Sequence, residues 1–199
     1  MQTRKDWDMM PARVAVCFVA ACLPACALPA AAGETPPVTG LVSVPLCGKA
    51  PTPDGKIGAG EWEGPVVQGF YQAKADLLDR RGGSFRLARD AATLYVAVVT
   101  PVHPRYGPVA RYRRSRMGSD MQKIVIDDSV ELWVVPGLAG EATEAYQILC
   151  NTSGACGHKR FLLPHGVERR WRPKGMRYDN DASGDRWVFE AAIPLSAFG

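Results

Sequence analysis

An all-β sandwich is the fold this sequence predicts, on three observations. Several short runs alternate apolar and polar residues, turn residues separate those runs, and nothing reads as an amphipathic helix longer than about two turns. No internal repeat and no glycine-rich phosphate loop interrupts the pattern. The clearest run is 128–135, Asp-Ser-Val-Glu-Leu-Trp-Val-Val. At strand period, Val130, Leu132 and Val134 fall on one face and Glu131, Trp133 and Val135 on the other. An aromatic ring beside a carboxylate suits a sugar-binding surface, because a ring stacks on a pyranose and a carboxylate accepts hydroxyl hydrogen bonds. The same pair equally suits a Trp covered by a loop and a Glu paired with Arg.

The other elements follow in order. Residues 34–53 are rich in Pro, Gly and Thr, which predicts a linker or a first strand laid along an edge. Asp54-Gly55-Lys56-Ile57 is a turn signal, with Glu61-Trp62 following. Ser84 to Ala88 and Thr93 to Thr100 read as strands joined by the turn Arg89 to Ala92. In the second, Leu94, Val96 and Val98 alternate with Tyr95, Ala97 and Val99, so both faces are apolar and the strand belongs in mid-sheet. Residues 105–120 form a basic loop in which arginines interleave with Tyr106 and Tyr112, fit either for an anionic ligand or for plain solvation. Ala145 to Asn151 and Arg160 to Leu163 are strand-like around a hairpin tip. Trp187 to Ile193 is the last strand, with Trp187, Phe189, Ala191 and Ile193 on one face and Pro194 at its end.

A length of 199 residues and an apolar share of 47% fit one domain of ordinary size. Residues 1–32 have the form of an export signal: Arg13, an apolar Ala-rich run from Val14 to Leu28, then the small-residue site Ala30-Ala31-Ala32-Gly33. Val19-Ala20-Ala21-Cys22 also resembles a bacterial lipobox, so soluble export and a lipid anchor at Cys22 both stay open. The predicted division is 1–32 leader, 33–51 linker or edge segment, and 52–199 sandwich. Discounting residues 1–32 lowers the net charge from +4 to +3, since Arg4, Lys5 and Arg13 leave with Asp6 and Asp8. That is too mild to imply nucleic acid. Cys17, Cys22 and Cys26 fall in the leader, which leaves Cys47, Cys150 and Cys156. A Cys150–Cys156 bridge closes a short hairpin and is worth about 2 kcal/mol in the chain-entropy model. A zinc site would add His158 and His165, whose spacing fits no familiar zinc pattern.

Five anchors stand in a recognisable order: Asp54-Gly55-Lys56 with Glu61-Trp62; Asp90 with Leu94-Tyr95-Val96; Asp128 to Leu132; Tyr146-Gln147 with Asn151; and Trp187 to Pro194. From about residue 52 onward the chain resembles family 9 carbohydrate-binding modules and their DOMON-like relatives. The resemblance implies an antiparallel β-sandwich of immunoglobulin-like or DOMON-like jelly-roll type that binds sugars without performing chemistry on them. It also implies a setting beside glycoside hydrolases in carbohydrate catabolism, and some such modules hold structural calcium. Two positions depart from the family pattern. Val125 stands where sugar-binding members carry an aromatic wall, and Leu149 where they carry a basic residue. The second aromatic wall comes from family segments beyond the Ile-Pro-Leu stretch, so the sandwich is expected to be incomplete at its C-terminus. These departures move any sugar site to Trp133 and the Arg/Tyr loop, or leave the module structural.

Two enzymatic or redox readings compete. Glu131 and Glu190 as a carboxylate pair would suit glycoside hydrolysis, whereas hydrogen bonds from Arg86, Arg160 or backbone amides would make both structural. A haem site would need Met117 or Met121 beside His158 as axial ligands. The expected ligand is a polysaccharide or oligosaccharide, with no catalytic residue in the domain, no nucleic acid, a monomeric module, and a membrane only if Cys22 is lipidated. Candidate contacts are Trp133, Glu131, Gln147, Asn151, Arg111, Arg113 and Arg114, with Asp127 and Asp128 as candidate calcium ligands.

Overall fold

The structure, a computed structural model, describes residues 13–17, 44–68, 71–72, 77–78, 83–113, 118–136 and 143–199. The fold is an all-β sandwich. Its strands are β1 (Arg13–Cys17), β2 (Val67–Gln68), β3 (Tyr71–Gln72), β4 (Leu77–Leu78), β5 (Ser84–Arg89), β6 (Thr93–Pro101), β7 (Ser129–Val134), β8 (Glu144–Asn151), β9 (Cys156–Leu162), β10 (Val167–Arg169), β11 (Arg177–Asp181) and β12 (Arg186–Pro194). One sheet runs β1-β7-β8-β9-β10, the other β11-β12-β6-β5-β2, and β3 and β4 pair separately. The pairings are antiparallel except β1 on β7, which is parallel and sets Arg13 opposite Ser129. Those five β1 residues fall within the segment read above as a leader.

Alternation explains the core. Val130, Leu132 and Val134 of β7 with Tyr146, Ile148 and Cys150 of β8 face inward from the first sheet. They meet Phe85, Leu87, Leu94, Val96 and Val98, and Trp187, Phe189, Ala191 and Ile193, from the second. β6 is the central strand of its sheet and β12 lies beside it, so both of their faces are covered. β11 escaped the sequence pattern because it is an edge strand reading Arg-Tyr-Asp-Asn-Asp; polar edges of this kind discourage pairing with other chains. Tyr178 turns inward there against Phe189, with its hydroxyl donating to the Gly154 carbonyl at 2.9 Å, and Asn180 on the same face accepts from the Trp187 indole at 3.1 Å.

The β8–β9 hairpin closes over residues 152–155, and Cys150 and Cys156, directly opposite each other, form a disulfide. A short helix, α1 (Met121–Ile124), is capped by Asp120, whose carboxylate accepts from the Gln122 amide at 3.0 Å. It lies on the outward face of the first sheet, where Met121 and Ile124 cluster with Leu149 and Ala155. The absent side chain of Gly157 makes that approach feasible: a Cβ there would collide with Met121 Cγ and lie 2.8 Å from the Ser119 carbonyl. Beyond Pro194 a 3-10 turn, Leu195–Phe198, folds back onto the core.

The outward face of the second sheet is covered by chain before β2. Cys47 and Pro45 exchange backbone hydrogen bonds with Arg89 at 2.9 Å each, and Trp62 and Cys47 pack on Ala88, Tyr95 and Ala192. The Trp62 indole donates to Glu190 at 2.8 Å, and the amides of Asp54 and Lys56 donate to the same carboxylate at 3.2 and 3.0 Å. Gly55 is required in that turn, for its φ is +78° and a Cβ would lie 2.8 Å from the Asn180 backbone. The first and last anchors of the sequence are therefore partners in space.

Candidate functional site

Partly exposed aromatic rings and a carboxylate stand side by side in the middle of the outward β7-β8-β9 face. Register places Trp133 opposite Gln147, and Gln147 opposite Lys159; Ala145 is opposite Phe161. The Trp133 and Phe161 rings meet across β8, with centroids 5.3 Å apart and planes tilted by 31°. Ala145, on the strand between them, is too small to hold them apart. Glu131 Oε1 accepts from Trp133 Nε1 at 2.7 Å and from Gln147 Nε2. The carboxylate thus fixes both the indole and the amide, and no arginine is needed to satisfy it. Phe161 was missed in the sequence, because its meeting with Trp133 depends on the register of two successive hairpins.

Trp133, Glu131 and Gln147 stand together, but the other predicted contacts do not join them. Asn151 is fully buried at the far end of β8. Its Nδ2 donates to the Tyr112 carbonyl and to Asp127 Oδ2, both at 2.8 Å, and its Oδ1 accepts from the Ser153 and Ala155 amides. Arg111 and Arg113 belong to the loop tied down at that same end, beside the start of β7. Trp133 lies four residues further along β7, roughly 13 Å at strand rise. Arg114 and Met117 lie outside the described residues.

Asp127 is also fully buried, and its oxygens accept from the Arg111 amide at 2.8 Å, the Tyr112 amide at 3.1 Å and Asn151. Asp128 Oδ2 accepts from the Val109 amide at 2.9 Å. These carboxylates pin residues 109–112 to the sheet. Among the described residues no group of three or more His, Cys, Asp or Glu side chains is disposed to hold a metal ion. Met121 packs under α1, His158 sits on β9, and His165 is in an exposed turn.

The glycosidase pair is overturned by topology. Glu131 alternates with core residues of the first sheet and Glu190 with core residues of the second, so they point from opposite outward faces of the sandwich. Packed sheets are themselves about 10 Å apart, whereas glycoside hydrolysis requires carboxyls within about 9.5 Å. Glu190, fully buried, is held by backbone amides and the Trp62 indole, the structural alternative. Burial raises its pKa above the ordinary value, with its hydrogen bonds pulling the other way.

The two positions noted above as departing from the resembled pattern share one cluster. Val125, at the end of α1, packs into the same apolar cluster as Leu149, Met121 and Ile124. These residues close the face under α1 as an apolar seal.

Beside this face, on the outer edge of β9, is an open cleft of about 620 Å³ reaching from α1 to residues 168–172. β10 pairs only with residues 160–162, so residues 157–159 lie along an edge that it does not reach. His158 and Trp171 contact edge to face there, with ring centroids 5.9 Å apart. Burial, and then the charge of Arg172, hold the His158 pKa below its ordinary value against neighbouring carbonyls that favour the charged ring. Neither ring nitrogen makes a hydrogen bond of good geometry among the described residues.

No protein-family model matches the chain, and no curated protein matches it significantly. A solved structure that it resembles is that of a candidate carbohydrate-binding protein from Bacteroides uniformis, with 18% identity and a TM-score of 0.44. The likeness covers 58% of this chain and 53% of that one, so it spans about half the length of that protein.

Proposed function

We propose that this chain is an exported sandwich module that binds a polysaccharide or oligosaccharide on the outward β7-β8-β9 face. The observation that carries the reading is the pair of partly exposed rings, Trp133 and Phe161, joined across β8 beside the Glu131–Gln147 pair. Rings of this kind stack on the apolar face of a pyranose, and the unshared oxygens of Glu131 and Gln147 accept hydroxyl hydrogens. The five ordered anchors support kinship with family 9 modules. In that setting the module would serve carbohydrate breakdown, with hydrolysis of glycosidic bonds left to another domain. Export rests on the leader-like residues 1–32, and mass analysis of the exported protein would distinguish cleavage before Gly33 from lipidation at Cys22.

A glycan array probed with wild type, Trp133→Ala and Phe161→Ala tests the site. Wild type is expected to retain a defined set of glycans and both variants to lose them, by about 1–3 kcal/mol per ring. Binding that survives both substitutions would remove this face, and binding to no glycan would leave the module structural.

A further inference from the structure

We propose that the cleft on the outer edge of β9 holds the anionic groups of an acidic polysaccharide, uronate carboxylates or sulfate esters. The inference rests on the sugar-binding reading and adds a second, adjoining site to it. Four cations line the cleft, Lys159, Arg169, Arg170 and Arg172, against two carboxylates, Asp120 and Glu168. Glu168 is paired with Lys159 at 2.8 Å. Asp120 is engaged by the Gln122 amide and lies 3.8 Å from Lys123. The three guanidiniums are left without an ion-pair partner among the described residues. They are close in sequence, Arg169-Arg170-Trp171-Arg172, and all three line the cleft. Guanidinium donor forks match the two oxygens of a carboxylate or sulfate and bind them by charge-assisted hydrogen bonds.

A saccharide fits better than a nucleic acid. Lys159 lines the cleft and also stands directly opposite Gln147 on the aromatic face, so one glycan chain can run from the rings into the cleft. The Trp171 ring is packed against Tyr146 at 4.8 Å and Phe198 at 5.9 Å, with its indole donating to the Ala197 carbonyl, so it offers no free platform for a base. The whole chain carries a net charge of only +4.

The test titrates the full chain with polygalacturonate, its methyl ester, dextran sulfate, dextran and a DNA oligonucleotide, at low and high salt. A charged glycan is expected to bind at least about tenfold tighter than its neutral counterpart, with the difference falling at high salt. The tighter of the two acidic polymers identifies the oxyanion. Arg170→Gln with Arg172→Gln should weaken charged-glycan binding about tenfold or more while leaving the melting temperature and any neutral-glycan affinity unchanged. A control pair of exposed arginines outside the cleft, Arg177→Gln with Arg186→Gln, should change nothing. No preference for charged chains, an equal loss in the control pair, or tighter binding of DNA would each overturn the proposal. Trp133→Ala reads out the first site separately: if it leaves neutral-glycan binding intact while the arginine variants lose the acidic glycan, the aromatic-face reading fails and the cleft stands.

Discussion

Removing the Asp127 carboxylate should cost this protein more than most single substitutions. Asp127→Ala strips an acceptor from three donors: the Arg111 and Tyr112 amides and Asn151 Nδ2. Arg111 is exposed and its amide can regain water, while Asn151 keeps its second bond to the Tyr112 carbonyl. A buried donor left unpaired costs about 1–3 kcal/mol. With one donor largely relieved and two affected, the loss works out at about 2–6 kcal/mol, or roughly 4–24 °C in melting temperature for a domain of this size. Asp127→Asn keeps one acceptor and turns a donor toward another donor, so about 1–3 kcal/mol is expected. Circular-dichroism melts give the totals, and hydrogen exchange at Arg111 and Tyr112 should speed up selectively. A loss under about 1 kcal/mol for the alanine variant would refute the pinning role. Calcium should leave the wild-type melt unchanged; a rise that vanishes in Asp127→Asn would return the metal reading.

Two further perturbations probe the packing. Gly157→Ala drives a methyl into Met121 and toward the Ser119 carbonyl, so α1 must lift; a destabilisation of about 1–3 kcal/mol with quenched packing around Leu149 is expected, and a neutral result would show that α1 is loosely seated. Glu190 has a folded pKa raised above its ordinary value of 4.5. Below that value the carboxyl is protonated in both states, and as pH rises toward the folded pKa the unfolded chain ionises more readily, so stability is lost. The stability of wild type relative to Glu190→Gln should therefore be greatest in acid and shrink through that window. A difference that grows with pH would mean the three hydrogen bonds outweigh burial.

The strands that fill the core were legible because burial imposes period two on them: Val130, Leu132 and Val134, or Trp187, Phe189, Ala191 and Ile193, point one way only if both sheets pack. β11 carried no such signal, because of its two inward residues, Tyr178 and Asn180, one is polar. The site was less legible. Asn151 shares a face with Gln147, and strand parity alone cannot tell that one end of that face is open and the other lies under α1 and the 109–112 loop. Phe161 faced the opposite difficulty, since its partner is two strands away. The partners of Glu190 were named by kind, as backbone amides, but their origin at Asp54 and Lys56 follows only from how the chain before β2 crosses the second sheet.

Val125 and Leu149 belong to one apolar cluster under α1, so substitutions at the two positions are coupled through the neighbours they share. An aromatic ring introduced at 125 alone would press on the cluster around Leu149, and a cation introduced at 149 alone would be buried among apolar neighbours without a partner. Each single change is penalised by that shared surround, so the cost of changing both is not the sum of the two. The apolar seal therefore tolerates little variation one position at a time, whereas the partly exposed middle of the β7-β8-β9 face is free to vary.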